Sequence, residues 1–130
     1  MSSERVVGIG VDIVSVARFE AACERTAGFL DRVLTPAEYE GRSVQSRAAR
    51  FAVKEAVAKA LGAPGDLAWH DCVVLTLEGG KPALEVSGSV AARAGELGID
   101  TWQLSLSHDG GMAIAMVVAS ADSKPEHEGR

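Results

Sequence analysis

Apolar positions in this chain change their period several times, and each change marks an element. From Val6 to Val14 almost every residue is apolar or glycine, the pattern of a strand with apolar residues on both sides of the pleat, and Asp12 is the one charge within it. Helical spacing then predicts Val16 to Leu34 as mainly helix, with a break at Thr26-Ala27-Gly28. Thr35-Pro36-Ala37-Glu38 supplies an N-cap, an N1 proline and an N3 glutamate, and Tyr39-Glu40-Gly41 ends that short helix. Ser43 or Ser46 can cap the next helix, which runs through Arg50 to Leu61 without Pro or Gly and stops at Gly62. Cys72–Leu77 and Pro82–Val86 read as a hairpin around Glu78-Gly79-Gly80-Lys81. A helix over Val90–Leu97 follows, capped by Ser87-Gly88-Ser89. Thr101–Ser107 alternates as a half-buried strand, His108-Asp109-Gly110-Gly111 is a turn, and Met112–Ala119 is apolar enough to be covered on both faces. The order β-α-α-β-β-α-β-β with two hairpins predicts an α+β fold, an antiparallel sheet packed against a long central helix.

Composition narrows the classes. A chain of 130 residues with 47% hydrophobic content predicts one domain over residues 1–120, and the polar, patternless stretch 121–130 reads as a disordered tail. A net charge of −5 argues against a general nucleic-acid binder. Cys23 and Cys72 are too far apart for a C-x-x-C motif, so they read as reduced thiols of a cytoplasmic protein. The N-terminus has no signal-peptide pattern, and no stretch approaches the ~20 apolar residues of a membrane helix.

The charges left inside apolar elements carry the chemistry. Gly8-Ile9-Gly10 resembles the start of a dinucleotide loop, but Ile13 stands where the third glycine belongs and the glycines lie in the strand, which excludes that reading. Glycines there let a backbone or a ligand come close. Asp12 must end the strand, be paired, or bind a cation, because an isolated buried carboxylate is costly. On the central helix Glu55 and Lys59 are four apart, as are Arg50 and Lys54. Such pairs are either surface ion pairs or a face built for a charged ligand. Ser107-His108-Asp109 is not a hydrolase triad, since consecutive residues cannot form the relay. Two carboxylates from separate elements, Asp12 and Glu55, suit one Mg²⁺, and Lys59, Lys54, Arg50 and His108 suit a polyphosphate. Arg18, Arg25 and Arg32 are seven apart and share a face if their helix is continuous, either as a solvated face or as a dock for an acidic partner. Glu38 reads as structural.

Three stretches together resemble a known family. Gly8-Ile9-Gly10-Val11-Asp12-Ile13 with Arg18, then Arg50-Phe51-Ala52-Val53-Lys54-Glu55-Ala56-Val57-Ala58-Lys59-Ala60, then Ser105-Leu106-Ser107-His108, are similar to the holo-acyl-carrier-protein synthases, the small bacterial type of 4′-phosphopantetheinyl transferase. The resemblance spans about Val7 to Ala119. It implies Mg²⁺-dependent transfer of 4′-phosphopantetheine from coenzyme A to a serine of apo acyl carrier protein, with release of adenosine 3′,5′-bisphosphate. It further implies Asp12 and Glu55 as the metal ligands and Lys59 at the pyrophosphate. Arg50 and His108, with Asp109 beside it, would lie near the 3′-phosphate and ribose. Gly80-Lys81-Pro82 would touch the adenine, and Lys54 and Ser107 would complete the coenzyme-binding set. Arg18, Arg25 and Arg32 would meet the carrier protein, and the assembly would be a homotrimer with its sites between subunits. Larger relatives resemble a D-x-E pattern; here Val14 stands at that third position, as expected of the small type. The alternatives are a non-catalytic coenzyme-A-binding trimer and a Mg²⁺-dependent nucleotide phosphohydrolase.

Overall fold

The alanine-rich run of the sequence forms a helix over Val44–Ala60, capped by the Ser43 side chain, which accepts from the Ser46 N–H at 3.1 Å. The computed structural model describes residues 3–123, and everything else is arranged about this helix. The chain runs β1 (Ser3–Ser15), α1 (Val16–Arg25), α2 (Phe29–Val33), α3 (Pro36–Tyr39), α4 (Val44–Ala60), β2 (Cys72–Thr76), β3 (Pro82–Val86), α5 (Gly88–Leu97), β4 (Thr101–Asp109) and β5 (Met112–Ser123). The predicted break between the first two helices is real: Gly28 takes φ 81°, which glycine adopts without strain. The condition for one shared arginine face, a continuous helix through Arg32, is therefore not met: Arg18 and Arg25 lie on α1 while Arg32 lies on α2.

The strands form two sheets rather than one. β1, β5 and β4 make an antiparallel sheet in that order, and β2 pairs with β3 in a separate two-stranded sheet. Only Gly110 and Gly111 turn the β4–β5 hairpin, both with positive φ (57° and 79°), as a two-residue hairpin requires. His108 and Asp109 consequently belong to β4 and not to the turn. β5 also runs past the expected domain limit at residue 120, with Ala121 buried; residues 124–130 of the expected tail lie outside the described residues.

Glycine decides how close the main sheet comes to α4. A Cβ on Gly8 would stand 2.0 Å from the Ala60 carbonyl oxygen, and one on Gly10 would stand 1.8 Å from that of Ala56. No side chain fits there, so β1 lies backbone-to-backbone against the helix. The inner face of the sheet continues this economy with Ala113, Ala115, Val117 and Ala119 of β5, all buried against α4 residues such as Ala52, Val53, Ala56 and Val57. A second cluster joins Val16 and Phe19 of α1 to Val33, Leu34, Ala48 and Ala49, with Phe29, Phe51 and Trp69 stacked alongside.

The outer face is different. Ile9, Val11 and Ile13 of β1 and Ile114 and Met116 of β5 are exposed. The register pairs Val11 with Met116 and Ile13 with Ile114, so these residues form one apolar surface. β5 is thus covered on one face only within a single chain. No helix of the described residues is long and apolar enough to cross a membrane.

Candidate functional site

The close approach at Gly8 and Gly10 has a chemical result two residues on. Asp12 continues the inward-facing series of β1 and meets α4 at Lys59. The Lys59 ammonium donates to the Asp12 carboxylate and to the Val11 carbonyl, both at 3.0 Å. Spacing alone offered a Glu55–Lys59 pair within the helix. Among the described residues that pair is absent, and Lys59 crosses to the strand instead. Glu55 stands beside them. Burial, then the negative charge of Asp12, push its carboxyl above the ordinary value, while Lys59 opposes the shift. Two carboxylates close enough to repel one another are a donor set suited to a divalent cation. No group of three or more metal-binding side chains occurs among the described residues, so water and substrate oxygens would have to complete a hard ion's shell.

Arg50 is almost wholly buried, one and a half turns earlier on α4. One terminal nitrogen donates to the Ser46 hydroxyl at 2.6 Å and the other to the Thr76 hydroxyl at 2.9 Å. Arg42 donates to the same Thr76 oxygen at 3.2 Å. Two guanidiniums thus converge on one hydroxyl, and each has a buried Nε without a partner. Burial, then Arg42, hold the Arg50 group below its usual proton affinity. Arg50, Thr76, Gly80, Pro82 and Ser105 line a groove of about 290 Å³ whose one charged lining residue is Arg50, a setting suited to an anion. Sequence reasoning missed Arg42 and Thr76. Arg42 sits in an irregular stretch, and Thr76 ends a strand with nothing to distinguish it.

Lys54 is not available to a ligand. Its side chain is 2% exposed and its ammonium donates to Glu38 at 2.7 Å and to the Trp69 carbonyl at 3.1 Å. The four-residue spacing from Arg50 placed it on the charged face, but α4 turns it into the core. The consecutive residues Ser107, His108 and Asp109 are divided by the pleat. His108 opposes Ala113, on the inner face that also carries Asp12, whereas Ser107 opposes Ile114 and Asp109 opposes Met112, on the outer face. His108 and Asp109, both exposed, line a groove at the hairpin end with Val16, Gln45, Gly110 and Gly111; Arg50 does not line it. Within one chain, then, Asp12, Glu55 and Lys59 come together, and Arg50, Gly80 and Pro82 come together, with Lys81 exposed beside them. His108 stands apart from both sets. Arg18, Arg25 and Arg32 are exposed, Arg32 lying 5.6 Å from the Phe29 ring centroid. Glu55 also lines a mainly apolar cavity of about 340 Å³, with Ala58, Leu67, Trp69, Cys72 and Val90. Both cysteines are free, and burial pushes the Cys72 thiol up to about 12.

The chain is similar to known proteins in sequence and in fold. A family model described as the 4′-phosphopantetheinyl transferase superfamily matches residues 8–117. A holo-[acyl-carrier-protein] synthase of Frankia alni is 56% identical over 116 residues, covering 89% of this chain and 98% of that protein. The crystal structure of the Helicobacter pylori holo-[acyl-carrier-protein] synthase in complex with coenzyme A superposes with a TM-score of 0.75 at 34% identity, covering 85% of this chain and 98% of that one. A Chronobacterium ammoniagenes synthase–coenzyme A complex gives 0.78 at 30% identity, with 92% and 98% covered.

Proposed function

Because this chain belongs to the 4′-phosphopantetheinyl transferase superfamily, we propose that it transfers 4′-phosphopantetheine from coenzyme A to a serine of an apo acyl carrier protein. The observation that carries the reading is the meeting of Asp12, Glu55 and Lys59 across the β1–α4 contact. Asp12 and Glu55 would hold Mg²⁺, since Lys59 pairs with Asp12 and leaves the Glu55 carboxyl raised beside it. When bound, Mg²⁺ supplies neutralisation of the charge that grows on the leaving oxygen. The residues of this chain do the rest by positioning. Lys59 lies within reach of the pyrophosphate. Arg50, with Arg42 and Thr76, takes the phosphate of the nucleotide end, and Gly80-Lys81-Pro82 flanks the adenine. The apolar cavity beside Glu55 would suit the pantetheine arm. The serine Oγ bonds to the β-phosphorus as the P–O bond to adenosine 3′,5′-bisphosphate breaks, and the serine proton passes to solvent.

The bare apolar face of β1 and β5 supports a homotrimer, in which His108 and Asp109 of one subunit complete the coenzyme site of the next. Exposed Arg18, Arg25 and Arg32 give an acidic carrier protein a basic surface on a chain of net charge −5. The free thiols agree with work in the cytoplasm, in lipid synthesis. A chain that only bound coenzyme A would not need a second carboxylate, Glu55, beside the Asp12–Lys59 pair. The test is incubation of apo carrier protein with coenzyme A, enzyme and Mg²⁺. Mass spectrometry should show addition of one phosphopantetheine, lost with a chelator. Coenzyme A binding without mass gain would overturn the proposal, and phosphate release without carrier protein would make the chain a hydrolase.

A further inference from the structure

Glu38 has no part in the chemistry above, yet its carboxylate is fully buried and saturated with donors. One oxygen accepts from the Lys54 ammonium at 2.7 Å and from the Thr35 N–H at 2.8 Å. The other accepts from the Val74 N–H at 2.7 Å. Closing the start of α3 needs only the Thr35 bond. The rest ties together three elements distant in sequence: α3, α4 and β2.

These ties matter because of where β2 stands. The β2–β3 hairpin carries Thr76, Gly80, Lys81 and Pro82, but it is not hydrogen-bonded into the main sheet. No backbone ladder fixes its distance from α4. Side chains must do so, and two rungs are visible. Arg50 to Thr76 is one, at the wall of the nucleotide groove. Glu38 to Val74, with Lys54, is the other, two residues down the same strand and four residues along the same helix. The Val74 N–H and the Thr76 hydroxyl lie two residues apart, about 7 Å along the strand, so the rungs are neighbours. The inner rung is dry and charged, and an ion pair held by additional hydrogen bonds in a dry site tolerates little displacement.

We infer that Glu38, acting with Lys54, is a positioning residue for coenzyme A: it sets the spacing between the β2–β3 hairpin and α4 and thereby the width of the groove for the nucleotide end. The inference rests on the transferase reading for its substrate. The experiment compares two double variants, each free of unpaired buried charge. Glu38→Gln/Lys54→Met keeps an acceptor for the Val74 N–H, whereas Glu38→Leu/Lys54→Met removes it. Calorimetry with adenosine 3′,5′-bisphosphate should give a Kd near wild type for the first and about tenfold weaker for the second. KM for coenzyme A should follow the same split, with kcat per folded enzyme and KM for carrier protein within about twofold. Should the Leu variant not fold, Glu38→Asp, which keeps the charge but shortens the reach to Val74, carries the same expectation. Equal affinities, or a fall in kcat with Kd unchanged, would overturn the inference and leave Glu38 a residue of stability alone. Failure of the wild type to transfer would sink only the transferase reading, because the affinity comparison needs no turnover.

Discussion

Lys54 and Lys59 sit five residues apart on the same helix, each against one carboxylate, and they have opposite fates. The Lys54–Glu38 pair is 2% and 0% exposed at its side chains, whereas the Lys59–Asp12 pair is 52% and 17% exposed. The buried pair is closed, with every oxygen of Glu38 taken by a fixed donor. The open pair is provisional: its lysine is half in water, and a second carboxylate, Glu55, waits unneutralised beside it. A closed pair specifies structure, because losing one partner leaves a buried charge. An open pair contributes little to stability and leaves its groups free to meet a ligand.

That contrast can be broken most sharply at the open site. Asp12→Ala and Glu55→Ala should each reduce phosphopantetheine transfer by about a thousandfold or more, while the thermal midpoint stays within a few degrees of wild type. Retention of Mg²⁺-dependent activity by either variant would remove that carboxylate from the metal site. Lys54→Met should do the reverse in kind, lowering unfolding free energy by about 3–5 kcal/mol in a urea titration. Lys59→Met should cost less than about 1 kcal/mol of stability yet slow transfer about tenfold to a hundredfold, since it removes a charge from the pyrophosphate. The smallest effect is the most specific. The Glu55 carboxyl is raised in the folded chain, so its ionised form opposes folding of the metal-free protein, and stability falls as pH rises from the unfolded value near 4.5 through the raised one. Glu55→Gln should therefore stabilise the metal-free protein near neutral pH, by less than about 1 kcal/mol after solvent screening of a half-exposed group. Urea titrations at pH 4 and pH 7 would read it, and a loss of stability at pH 7 would contradict the picture.

Much of this was legible in the chain. The Ser43 cap, the break at Gly28, the Pro36 start and the Glu78–Gly80 turn all follow from local rules, and the structure has each of them. The glycines of β1 were read as a place of close approach, and the partner is the backbone of α4. What local pattern does not hold is which elements meet. Nothing in Cys72–Val86 says that its hairpin stays out of the main sheet. Nothing in the spacing of Arg50, Lys54 and Lys59 says that the middle one faces Glu38. Ser107, His108 and Asp109 are neighbours in sequence, and strand period sends them to alternate faces once Gly110-Gly111 alone makes the turn.

The pairing of β1 with β5 joins residues 3–15 to residues 112–123, nearly the two ends of the described chain. β1, which carries Asp12, has no ladder partner until β5 has been made. Loop closure of that length is slow beside local helix and hairpin formation. On a ribosome adding about 5–20 residues per second, α4 would wait several seconds with its glycine-matched groove open. β1, made long before β5, is thus among the last elements to settle, and the acidic centre would be assembled only once β5 is present.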